Sequence, residues 1–483
     1  STPIEKIVIP QNRHEISSIL RGLQWVYMNQ EISEEVFSIL EEKVVAGKKA
    51  TGRPGMTLWQ IFVLGVLRLG LNANLAQLSD YANNHKLIRQ MMGLHPFMGS
   101  TEEELLFSEQ SICDNMNFMD EEFLERINVL LVNHGRKKVF KKKEAEGMQV
   151  KTDGFVVEAD VHFPTDINLL WDSGRKCLAC VKKLLKIEPL KGWRKIGDWR
   201  KRLKIQKLKL ERVMRGGGKN KDKHILELAQ EYLRIAYEIE EKVNLCLQQW
   251  ELDSPCLDLE ELKDFHGMFM HHIILVEDRL VEGKVIEHSD KYFSIFERHV
   301  EWIKKGKSNN RVEIGHNVLV SADENRLIVD YQVLEHESEK SGILGAVDRL
   351  SKHYDEEVVS LSADKGFFTR ENVELLTTEI EELCIPVRGR KNKTECEREQ
   401  SKNFKKLRKA HSEIESVINS LEHHGLGRSQ SKGLHGFKRD VGLGVMAYNL
   451  HEIGKKLAKE EEKERKKLQK KQRDKGATLL KAA

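Results

Sequence analysis

The chain has 483 residues, enough for several hydrophobic cores, with 40% hydrophobic residues, 32% charged residues and a net charge of only +4. That near balance excludes a uniformly basic nucleic-acid coat, and seven cysteines, odd in number and scattered, argue against a disulfide framework. The most apolar run, residues 58–71, is too short for a membrane span and carries Arg68; no leader is read at the N-terminus, so a cytoplasmic location with reduced thiols is expected.

Residues 15–135 read as helices, with apolar residues at helical spacing in EEVFSILEEKVV, LWQIFVLGVLRLGL and EEFLERINVLLVNH. Between the first two lies AGKKATGRPGM, a basic Gly/Pro loop containing Arg53 and followed by Thr57 as an N-cap. Such short helices suit a helix-turn-helix-like DNA reader or an ordinary bundle. Residues 150–162 are the first strand. A helical section over about 173–285 follows, whose halves WRKRLKIQKLKLERVM and HILELAQEYLRIAYEIEEKVNLCLQQW flank RGGGKNKDK, predicting an antiparallel hairpin. Strands resume in 309–336 as a hairpin around SADEN. Then come a helix (GILGAVDRLSKHY), a strand (EEVVSLSADKG), a helix (TRENVELLTTEIEEL), a strand (CIPVRGR) and a helix from about 402 to 422.

Strand, helical insertion, two strands, then alternating helix and strand is the order of a ribonuclease H-like mixed sheet with flanking helices, an α+β or α/β class. The expected division begins with a helical N-terminal region for DNA binding or dimerisation (1–145). A short opening segment of the catalytic core (146–172) leads into a basic helical insertion after the first strand (173–285). The remainder of the core (286–455) and a charged tail (456–483) complete it. Basic charge is concentrated locally: residues 182–223 hold 17 Lys/Arg against four acids, and residues 455–475 hold 11 against five. Blocks of this kind suit a polyanion, or simply solvated helix faces. In GWRKIGDWRKR, Trp193 and Trp199 alternate with Arg200, Lys201 and Arg202, a composition for backbone contacts and base stacking, or for helix packing. The lone pair Cys177 and Cys180 lacks the second pair a zinc ribbon needs.

Three carboxylates stand out. Asp153 sits inside a run of β-formers, where an unpaired charge is costly. Asp364 ends the strand EVVSLSAD, before Lys365 and Gly366, at the end of an α/β strand where ligands gather. Glu415 borders the apolar stripe Ile414, Val417, Ile418, Leu421. Carboxylates converging from two strands and a helix would bind Mg²⁺, with Mn²⁺ substituting; two such ions about 3.5–4 Å apart clamp an in-line phosphoryl displacement. Lys365 and the RGRKNK run (Arg388, Arg390, Lys391) are candidates for phosphate contacts.

These motifs carry a resemblance. TDGFVVEADVHFPTDINLLWD resembles the first-Asp block of bacterial insertion-sequence DDE transposases, close to D-x-T-V-V-E-x-N-I-x-x-P-T-D-x-x-L-L. SADKGFFTREN is similar to their second-Asp block. IESVINSLEHHGLGRSQSKGLHGFKRDVGLGVMAYNLHEIG is similar to their Glu block with its trailing Asn-Leu, and residues 51–62 and 293–307 also look like stretches of that group. The resemblance implies a metal-binding catalytic triad of Asp153, Asp364 and Glu415, and DNA contacts by Arg428 and Lys432. It also implies a two-ion reaction that cleaves element ends and joins the 3′-OH to target DNA, with duplex DNA held by a synaptic homodimer near the bacterial nucleoid. Phe155 replaces the family's Thr, and Glu422 replaces the Lys that usually follows the catalytic Glu by seven residues. A nuclease without strand transfer, or a non-catalytic DNA-binding descendant, are the other functions this element order allows.

Overall fold

The computed structural model describes residues 2–12, 14–44, 55–95, 106–142, 147–187, 192–250, 257–304 and 312–482. Among the described residues, seven α-helices precede the sheet: α1 (Glu15–Met28), α2 (Gln30–Val44), α3 (Leu58–Gly70), α4 (Leu75–Asn84), α5 (Lys86–Met91), α6 (Glu109–Met116) and α7 (Glu121–His134). Thr57 does cap α3, in a reciprocal capping box with Gln60. Strand β1 (Met148–Ala159) follows.

Residues 161–300 form a compact unit of their own, so its edges lie outside the 173–285 drawn from the sequence. It contains α8 (Asp166–Leu184), α9 (Ile196–Arg215), α10 (Lys221–Trp250) and α11 (Leu257–Leu280). Its core is apolar and includes Leu170, Leu203, Tyr232, Ile239 and Phe269, with Cys177 and Cys180 buried among them. The α9–α10 pair is the hairpin expected around the triple glycine.

The second compact unit joins residues 1–160 to 301–483. Its later elements are β2 (Glu301–Ile303), β3 (Glu313–Ala322), β4 (Ile328–Val333), α12 (Glu339–His353), β5 (Val358–Ala363), α13 (Arg370–Glu379), β6 (Glu382–Cys384), α14 (Lys393–Gln400), α15 (Lys402–His411), α16 (Glu413–Leu421), β7 (Arg428–Ser429) and α17 (Gly433–Ala482). The sheet runs β2–β3–β1–β5–β6, with β4 also on β3 and β7 on β1. β1 is antiparallel to β3 and parallel to β5, and β5 is parallel to β6. This mixed order is consistent with a ribonuclease H-like sheet.

Two expectations need correction. The strand placed in CIPVRGR ends at its first residue, because Glu382–Cys384 pairs with β5 before the chain turns away. The helix expected over 402–422 is two helices interrupted at Ser412, followed by a π-helical turn in which Gly425 takes φ +84°. The charged stretch 456–482 is helical and continues α17.

Two polar devices lock α17 to this unit. The amide of Asn449 accepts from Ile328 N (2.8 Å) and donates to Ile328 O (2.9 Å) and to Asn128 Oδ1 (2.7 Å), so one side chain ties α17, β4 and α7 together. Nearby, His424 Nδ1–H donates to Gly70 O (2.9 Å), which leaves its Nε2 to accept from His451 Nδ1–H (3.0 Å). Burial keeps both imidazoles below their usual range, and His451 is brought down to about 3. A folded-state pKa below the unfolded value means the unfolded chain takes the proton first. Stability is therefore full above about pH 6.5 and falls as pH drops from there toward 3. His451→Gln should flatten that acid limb by up to about 1.4 kcal/mol per pH unit, read from unfolding temperatures at pH 7.5 and 5; an unchanged slope would refute the assignment.

Candidate active site

The sheet register sets the two aspartates side by side. Thr152 of β1 pairs with Ala363 of β5 in parallel, and Asp153 and Asp364 are the next residue on each chain. Neighbouring strands lie about 4.8 Å apart, so the two positions are adjacent. Asp153 is half-buried and accepts from Gly154 N (2.8 Å). Asp364 is exposed at the strand end, where its carboxylate accepts from Gly366 N.

Glu415 comes from the first turn of α16, which an ion pair fixes over β1: Lys151 Nζ lies 2.7 Å from Glu413 Oε2. Lys151 and Glu413 each stand two residues before a member of the acidic set. Burial, followed by the charges of Asp364, Glu339 and Glu415, pushes the Asp153 carboxyl up to about 7, while its bond from Gly154 N–H opposes the rise. Three acids on three separate elements therefore act on one half-buried carboxylate.

Glu339 is the member that sequence reasoning missed. It occupies the first turn of α12 behind the N-cap Ser338, where an acidic residue reads as ordinary helix capping. His411, at the end of α15, bonds Ser362 Oγ through Nδ1 (3.2 Å); burial lowers its pKa, and Asp364 and Glu415 partly oppose that.

An all-oxygen donor set suits a hard divalent cation, and Asp153 is raised chiefly by burial, with the neighbouring acids adding to it. Among the described residues, no three His, Cys, Asp or Glu side chains are grouped closely enough to hold an ion as they stand. The acids share one region without being closed to coordination distance.

The predicted phosphate contacts divide. Lys365, Arg388 and Arg390 are exposed. An open cleft of about 650 Å³ is lined by Arg388 and Arg390 together with Lys340, Phe368, Thr369 and Arg370, of which Lys340 and Arg370 are cations that no motif flagged. Lys391 is tied to Glu399 (2.6 Å), and Arg428 to Glu158 (2.7 Å) beside the β1–β7 pairing. Lys432 is exposed, and Arg53 lies outside the described residues.

The tryptophan expectation is corrected. Trp193 is 5% exposed within the apolar core of the helical unit, so its ring is not available to stack on a base. Trp199 packs against the same core, with the Arg202 guanidinium 4.5 Å from its ring centroid. Trp193 precedes α9 and Trp199 lies in its first turns, and both rings face the core while basic neighbours stay outside. Arg200 and Lys201 are exposed on its outer face.

No helix among the described residues is long and apolar enough to cross a membrane. Residues 277–450 match the family model of the transposase DDE domain. No curated protein and no solved structure matches the chain.

Proposed function

We propose, from the premise that this chain is a DDE transposase, that it cleaves phosphodiesters at the ends of a DNA element and joins the freed 3′-OH to target DNA, using Asp153, Asp364 and Glu415. The observation that supports this reading is the register: Asp153 and Asp364 lie one step past the Thr152–Ala363 pair, and α16, which carries Glu415, is tied to β1 by the Lys151–Glu413 ion pair.

The three carboxylates would hold Mg²⁺ or Mn²⁺. Bound there, a divalent cation supplies Lewis-acid stabilisation of the charge that builds on the phosphate. The chain's own residues supply the rest. The Lys151 ammonium fixes the reach of α16 toward the aspartates. Lys365, and the cleft formed by Lys340, Arg370, Arg388 and Arg390, hold the DNA backbone by charge. Arg200 and Lys201, exposed on the helical unit, are proposed as further backbone contacts. Cutting two element ends calls for two active sites, so a synaptic homodimer is included in the proposal, as is action where bacterial DNA lies.

The test is an assay with Mg²⁺, duplex carrying the element's terminal repeats and a second target duplex. Nicking at the repeat ends followed by joining is the expected result. Nicking without joining would support a nuclease instead, and no metal-dependent nicking would overturn the proposal.

A further inference from the structure

We propose that Arg68, Lys432 and Arg439 form a seat for a phosphate ester, carried by a nucleic-acid strand or by a free nucleotide, in a cavity that shares no lining residue with the acidic set. This goes beyond the transposase reading and does not rest on it.

The cavity holds about 360 Å³ and is lined from the last turn of α3, the end of α6 and the chain entering α17. That volume falls within the range of small-ligand sites, about 300–1,000 Å³. Arg68 is 6% exposed. A guanidinium buried so deeply is costly unless an anion accompanies it. Arg136 meets that rule with three acids. Arg68 does not: it donates to Ala73 O and to Gln430 Oε1 (3.5 Å), both neutral. Burial lowers its pKa; the charge of Asp440 opposes that, and Arg439 adds to it. The Asp440 carboxylate serves other donors, accepting from Ser429 Oγ (2.8 Å), Ser431 N (3.2 Å) and Ser431 Oγ (2.8 Å). Among the described residues, no carboxylate pairs with Arg68, Lys432 or Arg439.

Arg439 gives a second, independent observation. Its Nη1 donates to Asn117 Oδ1 (2.7 Å), yet its Nε is buried with no hydrogen-bond partner, a state that folds normally avoid. Lys432 lines the same cavity and is exposed. Three cations on one cavity repel one another, and an anion that accepts from both guanidinium forks removes the repulsion and the unmet donor together. Leu75 and Met116 complete an apolar wall, which fits the sugar or base of an ester rather than a bare ion.

The experiment has two arms, both on the full chain. In the first, calorimetry titrates it with deoxyadenosine monophosphate in chloride buffer. Arg439→Gln and Lys432→Gln, at a half-buried and an exposed position, should each weaken binding by about tenfold. Arg68→Met should do the same; circular dichroism checks folding, and should Arg68→Met misfold, the other two carry the test. Asp153→Asn should bind the nucleotide as the parent does. In the second arm, anisotropy of a short labelled duplex is read over a range of salt, where loss of one phosphate contact lowers the slope of log affinity against log salt by about one. A slope lowered in this way assigns the seat to the DNA backbone, and weaker nucleotide binding with an unchanged slope assigns it to a free nucleotide. An unchanged slope in the folded variants, together with nucleotide binding that is absent or equal to the parent's, would overturn the proposal.

Discussion

Asp153→Asn is expected to cut DNA-end cleavage and joining by about 10³-fold or more while leaving DNA binding in place. Metal-borne charge stabilisation amounts to several kcal/mol at a phosphoryl transition state, and about 1.4 kcal/mol is tenfold in rate. Asp364→Asn and Glu415→Gln should fall in the same range. The backbone contacts proposed for Arg388 and Arg390 are untouched by these substitutions. Asp153→Asn carries a second signature of opposite sign. In the folded chain the Asp153 carboxyl sits at about 7, above its unfolded value. The native state therefore holds this proton more tightly, and ionising the group costs stability as pH rises from about 4 to about 7. Asn removes that cost, so the metal-free variant should be more stable than the parent at pH 8, by roughly 1–2 kcal/mol after allowance for partial exposure. Activity lost together with stability gained is the mark of a functional charge. A variant that is both less stable and still active would mean Asp153 is structural.

Arg136→Met is expected to be the most damaging single change to folding, at about 3–5 kcal/mol. The Arg136 side chain is 1% exposed and reaches the fully buried Asp323, with Glu324 at 3.4 Å and Glu356 at 2.5 Å. Asp323 in turn accepts from Leu327 N (2.8 Å) and Asn325 N (2.9 Å), and so shapes the β3–β4 turn. Without the guanidinium, Asp323, Glu324 and Glu356 lose the cation that all three share; Lys142 lies 2.9 Å from Glu324. Denaturant unfolding of the variant should show the loss in midpoint with little change in slope. A shift below about 1 kcal/mol would mean that water reaches this cluster.

How much of this was readable from the chain depends on how local each signal is. The Asp153 strand, the SADEN hairpin and Asp364 before Lys-Gly are encoded by neighbouring residues, and each appears where its pattern places it. β2 and β7 span three and two residues, too short to carry an alternation; pairing with strands distant in sequence creates them. The break at Ser412 escapes periodicity because the apolar stripes of α15 and α16 continue across it, and Ser412 itself keeps helical backbone angles. Glu339 was invisible for another reason. Its place near Gly154 and Gly366, 185 residues before and 27 after it in the chain, is made by folding, and an acid in the first turn behind a Ser cap reads as ordinary helix capping. Trp193 failed in the opposite direction: its basic neighbours suggested a surface, and the packing of α8–α11 covers the ring. The trailing Asn449 belonged to a recognisable motif, yet its work is to satisfy β4 and Asn128 in the core rather than to touch DNA.

The most direct measurement is an anomalous difference map from crystals soaked in Mn²⁺. The account predicts a peak within about 2.0–2.2 Å of oxygens from Asp153 and Asp364, with Glu415 drawn in from α16 to the same ion or its neighbour. Manganese bound elsewhere at saturating concentration, with no peak at Asp153 and Asp364, would contradict it.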